Sequence, residues 1–512
     1  RSEIGEGGIY VMPVLGGKPR LIATKGRNPR FSPDGTLIAY WDNGARGLDP
    51  LIISGRTVKM YVVPSNGGPF TQVRPEFDVA RFPLWTPDGK NLLFWGAQEP
   101  EIMGNVLARD EGQKGDWWVT PLHEGAPVAT HAFQTFRQAG LLFGAPSCWS
   151  AAGVHVIFSA TLGDANNLWQ VPLSPGSWQV VGPPEQLTFG TGGDNQPSVS
   201  ADRRMVFSSV INGCDIWSLP IDANRGKVMG NIERVTKDTG VNRFFDLTAD
   251  GKKLLFLSTR TGNSDIWLRD MESGKESQLT ATPENEIWTK MSGDGSRISS
   301  SEEIAANNKN SIYEILSGDG APKRLCEDCA GPYHWSSDGK WFLYRTLTRP
   351  TSIGLLNVVT GKKGEFLKHP RYEVYNGYFS PDDRWITFGT QISVGRDCLF
   401  IVPFREETAP KESEWIPVTD GTHFDLKSRW SPNGNLLYFV STRDGYLCIW
   451  AQRLDPRTKL PLGSPFEVYA SHDPRLSLSN LNGGSEFSVG PDQLFFSLGE
   501  RTGNIWTTTL KQ

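Results

Sequence analysis

At ten places the chain repeats one chemical arrangement: a hydroxyl residue, often Pro, then an acid and a Gly, as in Ser32-Pro33-Asp34-Gly35. The acid is Asp34, Asp88, Asp202, Asp250, Asp294, Asp338 or Asp382. Ala152 and Asn433 replace it elsewhere, Arg203 and Asp383 replace the Gly, and a degenerate copy lies around Gly490 to Asp492. A carboxylate beside a hydroxyl invites an acid–base reading. Recurrence in every unit, however, is what a structural turn needs and a single active site does not. Pro presets one turn dihedral, Asp bonds its own backbone and Gly tolerates positive φ, so these aspartates are read as turn formers.

Other reactive types are sparse. Cys326-Glu327-Asp328-Cys329 is a Cys-x-x-Cys pair, and a structural zinc site would want a second pair or two His at suitable spacing; His334 alone does not supply them. A local disulfide, free thiols and a metal stay open for this pair. Cys148, Cys214, Cys398 and Cys448 are scattered; Cys398 and Cys448 take equivalent places on adjacent blades, too far apart for a disulfide, and read as buried free thiols, and the seven His are isolated. The sequence contains no Gly-x-Ser-x-Gly elbow, His-Glu-x-x-His, phosphate loop or EF-hand-type calcium loop. The expectation is no catalytic residue, no metal and no cofactor.

The elements that would position any site follow from the same repeat. After Ser-Pro-Asp-Gly comes an apolar and aromatic run, Leu37-Ile38-Ala39-Tyr40-Trp41, without helical period, which reads as a buried strand. The intervals from Asp250 to Asp382 are each 44 residues. A second landmark keeps step: NLWQVPL at 167–173, CDIWSLP at 214–220, SDIWLRD at 264–270, CIWAQRL at 448–454 and NIWTTTL at 504–510 read as third strands. Short outer strands ending near Thr188, Thr236, Thr280 or Thr419 follow most of them. Periods of about 40–45 residues with four strands per unit are those of propeller blades. With Gly 55, Pro 35 and Trp 18 the composition suits many short strands. The expected fold is all-β, a β-propeller of about ten four-stranded blades, in two packed propellers with one large ring as the alternative. Residues 1–190 form a part with long insertions and a truncated start, and 191–512 a more regular propeller, with the boundary between 185 and 240.

The repeat of Phe/Trp-Ser-Pro-Asp-Gly, Ile-Ala-Tyr, Asp-Ile-Trp and Leu-Thr resembles bacterial WD-like propellers of the TolB type over nearly the whole chain. RSEIGEGGIYVMPVLGG, FGTGGDNQPSVSADRRMVFSS and LCEDCAGPYHWSSDGKWFLY are similar to the propeller region of membrane-tethered bacterial Ser/Thr-kinase-like proteins. That resemblance implies an extracytoplasmic sensor or interaction part of a larger membrane-associated signalling protein.

Meander topology assigns each loop to one end of the propeller. The insertions 42–58, 97–115, 129–146 and 470–484 all fall between strands two and three or between blades, on one face. They carry Asp42, Arg46, Asp49, Glu99, Glu101, Asn105, Arg109, Asp110, His131 and Arg137, which form a candidate binding face. The plain alternative is that these insertions cover the channel or pack a neighbouring blade. A net charge of −4 without a Lys/Arg block gives no footprint for nucleic acid, and no apolar run suits membrane insertion. The expected function is non-enzymatic binding of a protein, peptide or envelope ligand. The alternative is a propeller gating a peptidase, or a hydrolase with a dispersed channel site.

Overall fold

The computed structural model describes residues 8–42, 58–98, 115–122, 124–162, 165–190, 192–238, 240–282, 285–302, 311–316, 322–348, 350–393, 396–406, 408–473, 475–478 and 486–510. Among them the chain is a β-propeller assembly. Eight sheets are four-stranded antiparallel meanders taken in chain order, one is two-stranded, and one has seven strands. The chain divides into two compact units, Arg1–Asn212 with Arg501–Gln512, and Gly213–Glu500.

Each blade is built alike. In the turn, the hydroxyl two residues before the acid donates to its carboxylate and accepts the backbone N–H that starts the second strand. The carboxylate in turn accepts an N–H two residues on. Thus Ser380 Oγ donates to Asp382 at 2.6 Å, Trp385 N donates to Ser380 Oγ at 3.0 Å, and Arg384 N donates to Asp382 at 3.2 Å. The same set holds Thr86 with Asp88 and Thr248 with Asp250, and Ser431 uses Asn433. These bonds hold the carboxyls of Asp34, Asp250 and Asp294 below their ordinary values, Asp294 at about 2. Large apolar side chains fill the space between blades. Indole N–H groups on inner strands add hydrogen bonds to the blade before: Trp85 to Arg30 O at 3.0 Å, Trp149 to Trp85 O at 2.8 Å, and Trp430 to Tyr378 O at 3.3 Å.

The first unit holds the pair Ile9–Val11 with Arg20–Ala23 and three full blades, Arg27–Val73, Val79–Ala129 and Leu142–Gln186. Its next inner strand, Gly193–Val199, pairs with the start of Arg204–Asp222. The insertion 129–146 contains a helix, Ala132–Gln138, whose buried Phe136 packs against Trp117 and Phe158 and whose buried Phe133 packs against Trp95.

The second unit closes on itself with six blades. Its inner strands Asn242–Leu247, Glu286–Met291, Gly331–Trp335, Val374–Phe379, Asp425–Trp430 and Phe487–Val489 neighbour one another in that order, and the last returns to the first. The closing blade is joined from both ends of the unit. Phe487–Val489 and Gln493–Glu500 supply two strands, and the part of Arg204–Asp222 from Gly213 on, followed by Glu233–Arg234, supplies the others.

CDIWSLP and NIWTTTL are third strands, as read from the sequence, but each belongs to a blade begun in another part of the chain. CDIWSLP does not turn back on the strand before it, because Arg204–Asp222 runs straight through Asn212-Gly213, although Asn-Gly is a strong hairpin signal. Gln493–Thr509 likewise runs straight through Arg501-Thr502-Gly503. NIWTTTL therefore completes the first unit's blade, where Leu510 N donates to Arg203 O, and CDIWSLP completes the second unit's, where Ile221 N donates to Asp492 O. Two long ladders replace two short turns, which is favourable because every added residue pairs its backbone. Gly503 permits the close approach: a Cβ there would lie 2.8 Å from Ser209 O.

Candidate functional site: the polar channel of the second unit

Every inner strand of the second unit that starts a four-stranded blade carries a register shift just before its turn, at Arg243/Asp246, Ile287/Lys290, Pro332/His334, Tyr375/Tyr378 and Leu426/Arg429. In four of the five the residue six before the turn acid has positive φ: Phe244, Trp288, Asn376 and Lys427. The fifth is Pro332, whose ring forbids that conformation. A bulge re-aims the side chains that follow it. The residue four before each turn acid, or its replacement, is then Asp246, Lys290, His334, Tyr378, Arg429 and, in the closing blade, Ser488.

The first five of these come together across the axis. Lys290 Nζ lies 5.8 Å from the centroid of Tyr378, two blades away, and the His334 and Tyr378 rings are 5.2 Å apart. The Arg429 guanidinium stacks 3.7 Å over Tyr378. Glu486, just before the closing inner strand, accepts from Lys427 at 2.5 Å and from Arg429 at 3.1 Å. Asp246 accepts from Met291 N at 3.0 Å. Asp246, Lys290, Tyr378, Arg429, Glu486 and Ser488 are all buried, and Ser488 Oγ has no hydrogen-bond partner among the described residues.

Three cations thus share a narrow space with two carboxylates. Burial opposes ionisation of Glu486, but Lys427, Lys290 and Arg429 outweigh it and hold its carboxyl well below the ordinary range. Burial, then Arg429 and Lys290, push His334 down to about 3, so it is neutral, with Nδ1 accepting from Phe379 N at 3.3 Å. Such a channel can present positive charge and ring edges to an acidic group.

Of the residues proposed from the sequence, Asp42, His131 and Arg137 are described and lie elsewhere. Asp42 ends the strand Leu37–Asp42 opposite Lys59. His131 precedes the helix Ala132–Gln138 and Arg137 sits in its last turn. The helix is held by Asp116, which accepts from His131 N at 2.8 Å and Phe133 N at 3.1 Å. Arg46, Asp49, Glu99, Glu101, Asn105, Arg109 and Asp110 lie outside the described residues. Cys326 and Cys329 are joined in a disulfide, and Cys214, Cys398 and Cys448 are buried free thiols. The channel set was missed because its members share no residue type. The signal that finds it is subtraction: four places before each turn acid.

No family model and no curated protein matches the chain. Among solved structures, a putative TolB from Agrobacterium tumefaciens is 19% identical with a TM-score of 0.43, covering 57% of this chain and 99% of that one. The β-propeller domain of the Trilobed protease from Pyrococcus furiosus is 13% identical with a TM-score of 0.33, covering 88% and 99%. The tricorn protease is 12% identical with a TM-score of 0.32, covering 96% and 60%. At these values the likenesses carry no function across, and the fold rests on the blades themselves. The chain is a multi-bladed β-propeller whose repeat is similar to that of TolB-type propellers.

Proposed function

We propose that the chain is a non-enzymatic binding propeller for a protein, peptide or envelope ligand, with the channel of the second unit seating a carboxylate of that partner. The observation that carries this reading is Lys290. Its side chain is buried beside Asp246, Tyr378 and Glu486, which raise its pKa against the effect of burial, and its ammonium makes no hydrogen bond to a described residue. A desolvated cation of this kind gains most from an incoming anion. The turn carboxylates, engaged in their own backbones, are left out of this role. The TolB-type repeat supports an extracytoplasmic place in a larger membrane-associated protein. No helix among the described residues is long and apolar enough to cross a membrane.

Calorimetric titration with short peptides, free-acid against C-terminally amidated, tests the reading. Free-acid peptides should bind, and amidation or Lys290→Met should weaken binding by about 10- to 100-fold, the worth of a charged hydrogen bond. Equal binding of both peptide forms, with Lys290→Met unchanged, overturns it.

One observation favours the hydrolase alternative. Burial, with the Asp265 charge adding and a Thr280 hydrogen bond opposing, pushes Glu286 up to about 7, and its Oε2 has no partner among the described residues. A carboxyl poised near neutrality suits general acid–base work. Hydrolysis on a substrate panel that Glu286→Gln abolishes would select that reading over the binding one.

A further inference from the structure

Around the blade Asp425–Tyr469 four side chains of metal-binding type gather from two short stretches, Asp444 with Cys448 and Glu467 with His472. Asp444 lies in the turn between the strands Leu436–Ser441 and Cys448–Leu454, and Cys448 begins the second of these. Glu467 is near the end of the outer strand Pro461–Tyr469, and His472 follows it. The outer strand pairs Tyr469 with Ile449 and Glu467 with Trp450, so Val468 is an extra residue. The chain beyond then folds back until Ser471 N donates to Cys448 Sγ at 3.2 Å.

The ligand atoms of Asp444, Cys448, Glu467 and His472 all lie within 4.8 Å of one another. His472 Nε2 is 2.8 Å from Asp444 Oδ2, and Cys448 Sγ approaches the same oxygen at 3.4 Å. Asp444 Oδ1 is occupied by Tyr446 N at 3.1 Å, which aims Oδ2 at the cluster, and the Tyr446 ring packs 4.4 Å from the His472 ring. Cys448 is fully buried, whereas Asp444, Glu467 and His472 reach solvent. The thiol therefore forms the floor of an open cluster.

We propose that Asp444, Cys448, Glu467 and His472 form a zinc site. One sulfur, one imidazole nitrogen and two carboxylates are the donors zinc takes in tetrahedral sites, at about 2.0–2.3 Å each, which sets donors about 3.4 Å apart. Rotation of the three exposed side chains about their own bonds closes the remaining gap. A hard cation such as calcium or magnesium would not use the thiol or the imidazole. The Ser471 N–H on the sulfur is the kind of outer contact that orients a thiolate ligand. The repeat supplies its own comparison. Cys398 holds the same position in the preceding blade, but its thiol donates to Thr419 O at 2.8 Å, and it belongs to no such group among the described residues.

The test uses the whole chain stripped of metal by a chelator, then titrated with Zn²⁺ and, separately, with Co²⁺. One equivalent should bind, cobalt should develop a near-ultraviolet sulfur-to-metal band with tetrahedral visible absorption, and zinc should displace it. His472→Ala and Glu467→Gln, both at exposed positions, should each weaken zinc binding by at least about tenfold, and Cys448→Ser should remove the sulfur band. Cys398→Ser should leave band and stoichiometry unchanged. Absence of the sulfur band overturns the proposal, and so does zinc binding that His472→Ala and Glu467→Gln leave undiminished, since Asp444 and His472 are then a simple surface pair.

Discussion

Replacing His334 by Gln should flatten the acid side of the protein's stability curve. His334 is neutral in the folded channel, held at about 3 by burial and by Arg429 and Lys290, against 6.5 for a free histidine. Below the free value the unfolded chain takes up a proton that the folded chain refuses, so stability falls as pH drops from about 6.5 toward about 3. For one such group the loss at pH 5 relative to pH 7 is about 2 kcal/mol, the energy of protonating a free imidazole across that interval. His334→Gln keeps a hydrogen-bonding group beside Phe379 N but does not titrate. It costs some packing against Tyr378 at both pH values alike. The readout is therefore a double difference: urea unfolding of both proteins at pH 7 and pH 5, followed by tryptophan fluorescence. The wild type should lose about 2 kcal/mol more than the variant between the two pH values. Equal losses would refute the reasoning, because every other titrating group is common to both proteins.

Glu486→Gln should destabilise the chain by about 3–5 kcal/mol at neutral pH, because Lys427 and Arg429 are left buried without their carboxylate; denaturant unfolding measures it. Glu486 is depressed in the folded state, so the stability it lends is present above the unfolded carboxyl value and fades as pH falls through its folded one. The wild-type advantage over Glu486→Gln should shrink correspondingly in acid. Asp116→Ala should cost about 1–3 kcal/mol in the same measurement, through unpaired N–H groups at His131 and Phe133. Thiol titration in non-reducing denaturant should count four thiols per chain, from Cys148, Cys214, Cys398 and Cys448, and six after reduction.

What the sequence reveals and conceals here follows from the range of each interaction. The turn at Asp34 or Asp382 is closed by residues within five positions, so a short window contains all the chemistry that makes it. The four-stranded blades follow from the same local hairpins. The channel residues Asp246, Lys290 and Arg429 meet across the axis of a closed ring, and nothing near Lys290 in the chain indicates that Tyr378 will face it. Cys448 and His472 look isolated because a hairpin and an extra residue in the outer strand are needed to join them. The straight passage through Asn212-Gly213 was hidden for the opposite reason. The local signal there is strong, and a ladder closed by residues from Gln493 on overrides it.

That passage also sets an order of events during synthesis. The blade begun by Gly193–Val199 and the strand after it takes its next strand from Arg501–Thr509, which leaves the ribosome only after all of Gly213–Glu500 has been made. At about 5–20 residues per second this interval is roughly 15–60 s. Throughout it the edge of Arg204–Asn212 waits with its backbone groups unpaired, open to any other strand that arrives first. The second unit meanwhile gains Gly213–Asp222 early and Gln493–Glu500 late, so its ring also stays open until Gln493–Glu500 has emerged. Both units are completed by the two halves of one strand, and a nascent chain cut short before Gln493 leaves each with an open seam.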